Sequence, residues 1–517
     1  MMKSLVIASN SSGGGKTTIT LGIMKALIKR GFEVQGYKVG PDYIDTAFHS
    51  HITGKAARNL DVFLMEEDGV KTSYYSGKGD YGVIEGVMGL YDGKGIDTYG
   101  STAHVAKLLK VPIILVLSPK AQVATLCAEI KGLMEYENAD IKGIILNNIN
   151  EGYYTLLKYA IEENCGVKVL GYIPMDERLK IGSRHLGLVQ SSEIEDVDEK
   201  IEICSCLLEK YVDMDRFLKL FKEELDSEKE VYSKLFSIRG GNSLSDVYPN
   251  VASRRLLSGE DISSSTTIYD SIYSNTLSDV EEEINEYQHG TNEDKLLKIG
   301  TERYRDVDNF SQHAPKKKIR IAVAKDKAFN FYYTENIELL QELGQVIYFS
   351  PLEDKELPEN IDFLYIGGGY PEVFVDKLSS NVTMLNSIRE ALDTGLRCYA
   401  ECGGLMYLTE YIEGRKVVGF FNGQAEMTKS LQNFGYAEIT VNKENNILPM
   451  GLKIRCHEFH KSKINTQEET IYKLTKTSYL DEEKSWTCGY CKKNTVAAYA
   501  HIHFFSNLDF LKYIIGI

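Results

Sequence analysis

One tryptophan and 10 prolines in 517 residues leave the chain poor in both, and other scarcities do more to narrow its class. No apolar run approaches the roughly 20 residues that a membrane-spanning helix needs, so a helical membrane protein is excluded and no membrane partner is expected. Basic charge is in deficit, with 59 Lys and Arg against 74 Asp and Glu and a net charge of −15. Nucleic acid is therefore excluded as a general partner, because a phosphate backbone needs clustered cations. The nine cysteines are scattered without a disulfide-like spacing. They are expected to be reduced, as in a cytosolic protein. A glycine-rich phosphate-binding pattern starts at Ser9, which leaves no room for a signal peptide and makes a cytoplasmic location the expectation. There is no repeat at a solenoid period.

What is present divides the chain in three. Residues 1–222 alternate β-branched runs with amphipathic segments. Leu5-Val6-Ile7-Ala8, 81–84, 111–117 and 143–146 read as buried parallel strands, and 17–29 and 121–136 as helices. This is the pattern of a doubly wound α/β domain. Residues 223–315 read as an acidic, largely irregular linker or insertion; 225–315 hold 17 acidic against 9 basic residues. From 316 to 517 the α/β alternation resumes. Strands are expected at Ile319-Arg320-Ile321-Ala322-Val323, Phe363-Leu364-Tyr365-Ile366 and Arg397-Cys398-Tyr399, and a helix at 335–343.

Ser9-Asn10-Ser11-Ser12-Gly13-Gly14-Gly15-Lys16-Thr17-Thr18 follows a strand and opens a helix, the context a P-loop requires. Ser12, Gly13, Gly15, Lys16, Thr17 and Thr18 are the expected nucleotide-binding residues. Glycines turn backbone N–H groups toward phosphates at a helix N-terminus, Lys16 reaches the β/γ-phosphates, and the Thr17 hydroxyl can ligate Mg2+. Asn10 stands where the motif has its first glycine, and tolerates left-handed backbone geometry. Glu85, ending the 81–84 strand, occupies the position of a Walker-B-type acid on the same metal. Asp42, Asp45 and Asp92 follow other strand ends, where such sheets bind ligands, and are candidates for substrate or metal handling. Singly, each Asp is as readily a turn residue or a helix cap.

In the second half, Tyr399-Ala400-Glu401-Cys402-Gly403-Gly404-Leu405 joins a strand directly to a helix. Such an elbow presents a nucleophilic cysteine at a helix N-terminus, where the thiolate is favoured. A base is supplied by His501 or His503. The N–H groups of Gly368, Gly369 and Gly403 can receive an oxyanion. Cys488 and Cys491 have zinc-knuckle spacing but no second ligand pair, and read as a strand turn. Cys204 and Cys206 read as core.

The motifs in this order resemble the cobyrinate/hydrogenobyrinate/nickel-sirohydrochlorin a,c-diamide synthase family, over nearly the whole chain outside the acidic middle. Besides the P-loop and the Cys402 elbow, the resemblance rests on Gly40-Pro41-Asp42-Tyr43-Ile44-Asp45, Asn59-Leu60-Asp61, Glu85-Gly86-Val87-Met88-Gly89 and Arg184-His185-Leu186-Gly187-Leu188. It continues through Ala328-Phe329-Asn330-Phe331-Tyr332-Tyr333, His457-Glu458-Phe459-His460 and Tyr499-Ala500-His501-Ile502-His503-Phe504. It implies a dethiobiotin-synthetase-like ATPase domain fused to a class I, triad-type glutaminase domain. Mg2+ would be the cofactor, ATP and L-glutamine the co-substrates, and a corrinoid tetrapyrrole the substrate, with cobyrinic acid preferred.

By the same resemblance His501 activates Cys402, while His503 occupies the position where many triad glutaminases carry Glu, so the third member is open. The long acidic segment departs from the family's short linker. A homodimer is compatible with the sequence. Alternatives are the same reaction on hydrogenobyrinic acid or nickel-sirohydrochlorin, cobyric acid synthase, and, in a different class, a ParA/MinD-like regulatory ATPase. The last leaves Cys402 and His501 without a use, and the chain lacks the early lysine that such switches carry at Asn10 or Ser11.

Overall fold

Strands rich in Val and Ile, buried on both faces, organise the first half of the molecule. A computed structural model describes residues 2–179, 197–224, 228–229, 232, 318–480 and 482–517. The first sheet contains β1 (Lys3–Ser9), β2 (Val34–Val39), β3 (Arg58–Leu60), β4 (Tyr81–Glu85), β5 (Ile113–Leu117), β6 (Ile141–Asn147) and β7 (Val169–Ile173). Their order is β3-β2-β4-β1-β5-β6-β7, all parallel, and β8 (Lys222–Glu223) adds an antiparallel edge to β1. Parallel strands require crossovers, here helices such as Lys16–Lys29 and Ala124–Glu135. Burial of Leu5, Val6, Ile7 and Ala8, and of the whole of β5, matches the expected doubly wound core.

The second sheet includes β9 (Ile319–Ala324), β11 (Gly344–Phe349), β12 (Phe363–Ile366), β14 (Arg397–Glu401) and β21 (Thr495–Ala498), a parallel block in the order β11-β9-β12-β14-β21. Beside it, β10 (Phe329–Phe331) pairs with β13 (Gly368–Gly369). From β21 the sheet continues antiparallel through β20 (Glu483–Lys492), β19 (Thr470–Thr477), β17 (Gln424–Val441) and β18 (Lys453–Asn465). A short edge of β15 (Tyr411–Ile412) and β16 (Arg415–Lys416) completes it.

Both sheets belong to one compact unit. The other unit, Pro249–Lys318, lies outside the described residues apart from Lys318. The acidic segment, except for residues 223, 224, 228, 229 and 232, and the motif Arg184-His185-Leu186-Gly187-Leu188 also fall outside them. Among the described residues no helix is long and apolar enough to cross a membrane.

Two cysteine readings change. Cys488 and Cys491 sit within strand β20, not in a turn. Cys204 is buried as expected, but Cys206 is exposed beside Lys29, because it lies on the outward side of its amphipathic helix.

The halves meet through a buried ionic cluster. Arg58 at the start of β3 donates to Glu335 at 3.1 Å and Glu338 at 3.0 Å in the helix Thr334–Leu343. Ser73 and His503 also reach Glu335. Burial opposes the Glu335 charge, but His503, Arg58 and Ser73 together hold its carboxyl down at about 2. Removing one partner of such a buried pair strands the other and costs about 3–5 kcal/mol.

Candidate active sites

Ser9 ends β1 at the carboxyl edge of the first sheet, and the chain turns through Asn10–Gly15 into the helix Lys16–Lys29. Gly13 and Gly15 have φ of 79° and 90°, and a side chain on Gly15 would strike the Asn147 amide at 2.1 Å. Only glycine fits there. Asn10, which tolerates left-handed geometry, does not adopt it. Its amide instead pins the loop by donating to Glu129 at 2.5 Å. Ser12 and Gly13 form the exposed tip, while Thr17 and Thr18 lie half-buried in the first helical turn.

The Lys16 ammonium donates to the carbonyls of Ser11 at 3.0 Å and Met88 at 2.5 Å. Burial, and then the charge of Lys38, push it down to about 8. Thr17 donates to Glu85 at 2.5 Å, so the two residues expected to hold a metal converge beneath the loop. Their hard oxygens suit Mg2+. Glu85 is fully buried and also accepts from Lys38 at 3.2 Å and meets His49 at 2.8 Å. Lys38 pairs with Asp45 at 2.8 Å. Despite burial, Asp45, Glu85 and Asp42 hold the Lys38 ammonium above the ordinary lysine range.

Asp42 caps the helix Tyr43–Thr53, accepting from Ile44 at 2.8 Å and Asp45 at 3.0 Å. Burial and the Asp45 charge raise its carboxyl. Asp92 accepts the Gly89 N–H at 2.8 Å. Sequence reasoning passed over Lys38 and His49. A lysine inside the strand Val34–Val39, which is buried throughout, was the available signal.

In the second half, β14 ends at Glu401 and Cys402 follows at φ 48°, ψ −102°, opening the short helix Gly403–Leu408. A strained non-glycine residue at a strand-to-helix turn is the geometry of a nucleophile elbow. A Cβ on Gly403 would lie 3.1 Å from the Gly369 nitrogen, so β13 packs against the elbow. A Cβ on Gly368 would meet the His501 ring at 2.5 Å. Gly369 thus packs on Gly403, the residue after Cys402, and Gly368 packs on His501.

A cavity of about 160 Å3 opens on Cys402, lined among others by Glu372, Met406, Met427, Phe459 and His460. Cys402 is only 7% exposed, and the expected bias toward thiolate is not there. Burial, then the nearby Glu372, raise its thiol above the ordinary range, outweighing the Gly403 N–H at so short a helix. Burial also pushes Glu372 up to about 7. A resting thiol needs a base.

Three histidines surround the elbow. Both His460 nitrogens are engaged, with Ser462 at 2.8 Å and Glu458 at 3.3 Å. His457 stacks on His501 and meets Tyr333 at 3.2 Å, and burial lowers it to about 3. His501 keeps Nδ1 buried without a hydrogen-bond partner, 3.9 Å from Glu401. Burial, then His457, hold it well below the usual histidine range, which favours the neutral ring. His503 turns away to Glu335 at 3.4 Å.

Glu401 accepts from Tyr399 at 2.9 Å, the Ile502 N–H at 3.0 Å and Tyr365 at 3.0 Å, and burial lifts it to about 7. Sequence reasoning missed it, although a lone acid closing an apolar strand before the cysteine marked the place. Tyr43 joins the two sites, stacking on Phe331 at 5.1 Å with its ring 5.3 Å from that of His501.

A nucleotide-binding half fused to a cysteine-elbow amidotransferase half defines a glutamine-dependent amidating ligase. Residues 5–189 match the CobQ/CobB/MinD/ParA nucleotide binding domain, and residues 320–508 the CobB/CobQ-like glutamine amidotransferase domain. The curated cobyrinate a,c-diamide synthase of Clostridium tetani is 56% identical over 515 residues, covering 99% of both chains. That of Clostridium acetobutylicum is 55% identical over 517 residues, covering 99% of this chain and 100% of the other. That of Listeria innocua is 39% identical over 526 residues, covering 100% of this chain and 99% of the other. The chain belongs to the cobyrinate a,c-diamide synthase family.

Proposed function

We propose that this protein uses ATP and glutamine to convert the a- and c-acetate carboxylates of cobyrinic acid into amides, a step of cobalamin biosynthesis. The observation carrying this reading is the coexistence, in one compact unit, of the Lys16–Thr17–Glu85 constellation and the Cys402 elbow, with Tyr43 spanning the gap. The names of the full-length relatives support the substrate.

A carboxylate resists ammonia because its carbonyl is electron-rich and its oxygen leaves poorly. In the proposed reaction a substrate carboxylate oxygen attacks the γ-phosphorus of ATP and ADP departs, leaving an acyl phosphate. Lys16 balances charge on the transferring group. Thr17 and Glu85 would hold Mg2+, which when bound neutralises phosphate charge. Meanwhile His501 takes the Cys402 proton and the sulfur attacks the glutamine amide. The oxyanion faces the N–H groups of Gly368, Gly369 and Gly403, and His501 protonates the departing ammonia. Water then releases glutamate from the thioester. Ammonia attacks the acyl phosphate, and phosphate leaves. Passage beside Tyr43 spares the ammonia protonation in bulk water. Asp42, Asp45 and Asp92 line the acceptor side.

Glu401 acts as the positioning residue for His501, standing in for the third triad member. Closing its 3.9 Å separation from Nδ1 would make a charge-assisted hydrogen bond. Glu401→Gln is expected to lower the glutamine-dependent rate on the order of a hundredfold to ten-thousandfold. It should also flatten the rise in that rate as pH passes about 7, where the carboxyl ionises. A purely structural Glu401 would instead depress glutamine- and ammonia-driven rates together and leave the pH limb in place.

The reading as a whole is tested by offering ATP, Mg2+ and glutamine with cobyrinic acid, hydrogenobyrinic acid or nickel-sirohydrochlorin and following amidation by mass spectrometry. Double amidation of cobyrinic acid is expected. Preference for another macrocycle would reassign the substrate, and ATP hydrolysis without amidation of any would revive the regulatory class.

A further inference from the structure

A net charge of −15 means that a polycarboxylate can be held only where cations are locally concentrated. One such place lies at the seam between the halves. Lys94 follows β4 in the loop of residues 87–100, Arg455 lies on β18 and Lys476 on β19. The Lys94 ammonium sits 4.7 Å from the Phe63 ring centre and the Arg455 guanidinium 5.5 Å from it. Tyr436 packs on Phe63 at 4.6 Å.

Burial, and then Arg455, lower Lys94 from its ordinary value, with Lys476 adding to the repulsion against Glu438 and Asp97. Arg455 has an acidic partner in Glu66 at 3.2 Å. Among the described residues neither Lys94 nor Lys476 has one within ion-pair distance; Lys476 donates instead to the Phe434 carbonyl at 2.8 Å. An incoming carboxylate would relieve this crowding of like charge.

The seam adjoins the phosphate loop. The Met88 carbonyl receives the Lys16 ammonium, and the same loop carries Asp92 and then Lys94. Glu66, paired with Arg455, and Met88, which receives Lys16, are non-glycine residues held at φ 59° and 46°. Such strain persists where surrounding structure enforces it, and it concentrates at ligand sites. Phe434, whose carbonyl receives Lys476, is 53% exposed and offers apolar surface beside the charges. The larger cavity nearby, about 380 Å3, is lined by Asp97 and Glu137 and would repel a polyanion.

We infer that Lys94, Arg455 and Lys476 form the subsite that grips peripheral carboxylates of the macrocycle while a neighbouring acetate is presented to the nucleotide. The inference rests on the proposed synthase reading and adds the residues that recognise its substrate. Lys94→Gln and Lys476→Gln leave the Arg455–Glu66 pair intact and are the variants of choice.

Each is expected to raise the KM for cobyrinic acid roughly tenfold, the worth of one hydrogen bond to a charged group, and the double variant more. KM for ATP and for glutamine should not move, which also reports that the variants are folded. Absorbance titration of cobyrinic acid without ATP should show weaker binding and a shallower salt dependence for the double variant. Unchanged KM and salt dependence, with wild type amidating cobyrinic acid, would overturn the subsite and leave the synthase reading standing. Wild type that amidates no tetrapyrrole would overturn both.

Discussion

Cys402→Ala is expected to cut glutamine-dependent amidation by roughly a thousandfold or more, the scale on which nucleophile removal acts. The rate at high free ammonia should be retained. Glutamine yields nitrogen only through a bond from a nucleophile to its amide carbon, and Cys402 is the sulfur at the elbow. The acyl-phosphate half requires Lys16, Thr17 and Glu85, in the first half; Lys16 donates to Met88 and Thr17 to Glu85, not to the elbow. Alanine removes a single atom beside a cavity of about 160 Å3, so packing changes little. Raising pH, which increases the free-base fraction of ammonia, should rescue the variant further. Loss of both activities would make Cys402 structural, and continued use of glutamine would exclude it as the nucleophile.

The halves were legible to different degrees. β1 and β5 carry uninterrupted apolar runs, Leu5–Ala8 and Ile113–Leu117, because both faces are buried, and such runs advertise themselves. The P-loop and the elbow were legible because their glycines answer local steric demands, seen at Gly15 and Gly403. The antiparallel half of the second sheet was not read. β17 and β18 mix exposed and buried positions irregularly, with register shifts near Gln432 and Gly435, and so lose the period of two.

Partners across the seam were equally hidden. Arg58 and Glu335 are 277 residues apart, and His503 looks like a triad member until the fold delivers it to Glu335. Asp42 and Asp92 show the converse. From sequence alone each is as readily an active-site acid as a turn residue, and the geometry gives each a capping or turn bond within the candidate site. A side chain in such a place can do both, since fixing the backbone and facing the ligand use different oxygens.

Glu85→Gln is expected to abolish amidation from either nitrogen source, the counterpart to Cys402→Ala. Glu85 is where the first site's charges balance. Its carboxylate meets Thr17, Lys38 and His49, while Lys38 also holds Asp45. The amide keeps the shape but removes the negative charge, so the metal position loses its only anionic oxygen in the proposed pair and Lys38 is left with Asp45 and Asp42. Loss of metal-based charge stabilisation is worth several kcal/mol in the transition state, hence roughly a hundredfold or more in rate with ammonia or glutamine. Stability should fall too, because a buried ammonium loses a counter-charge. Stoichiometric alkylation of Cys402 by a glutamine-like affinity label, read by mass spectrometry, would show that the second half remains folded. Near-normal ammonia-driven amidation by Glu85→Gln would reduce Glu85 to an internal counter-ion of Lys38 and move the search for the metal ligand to Asp42 and Asp45.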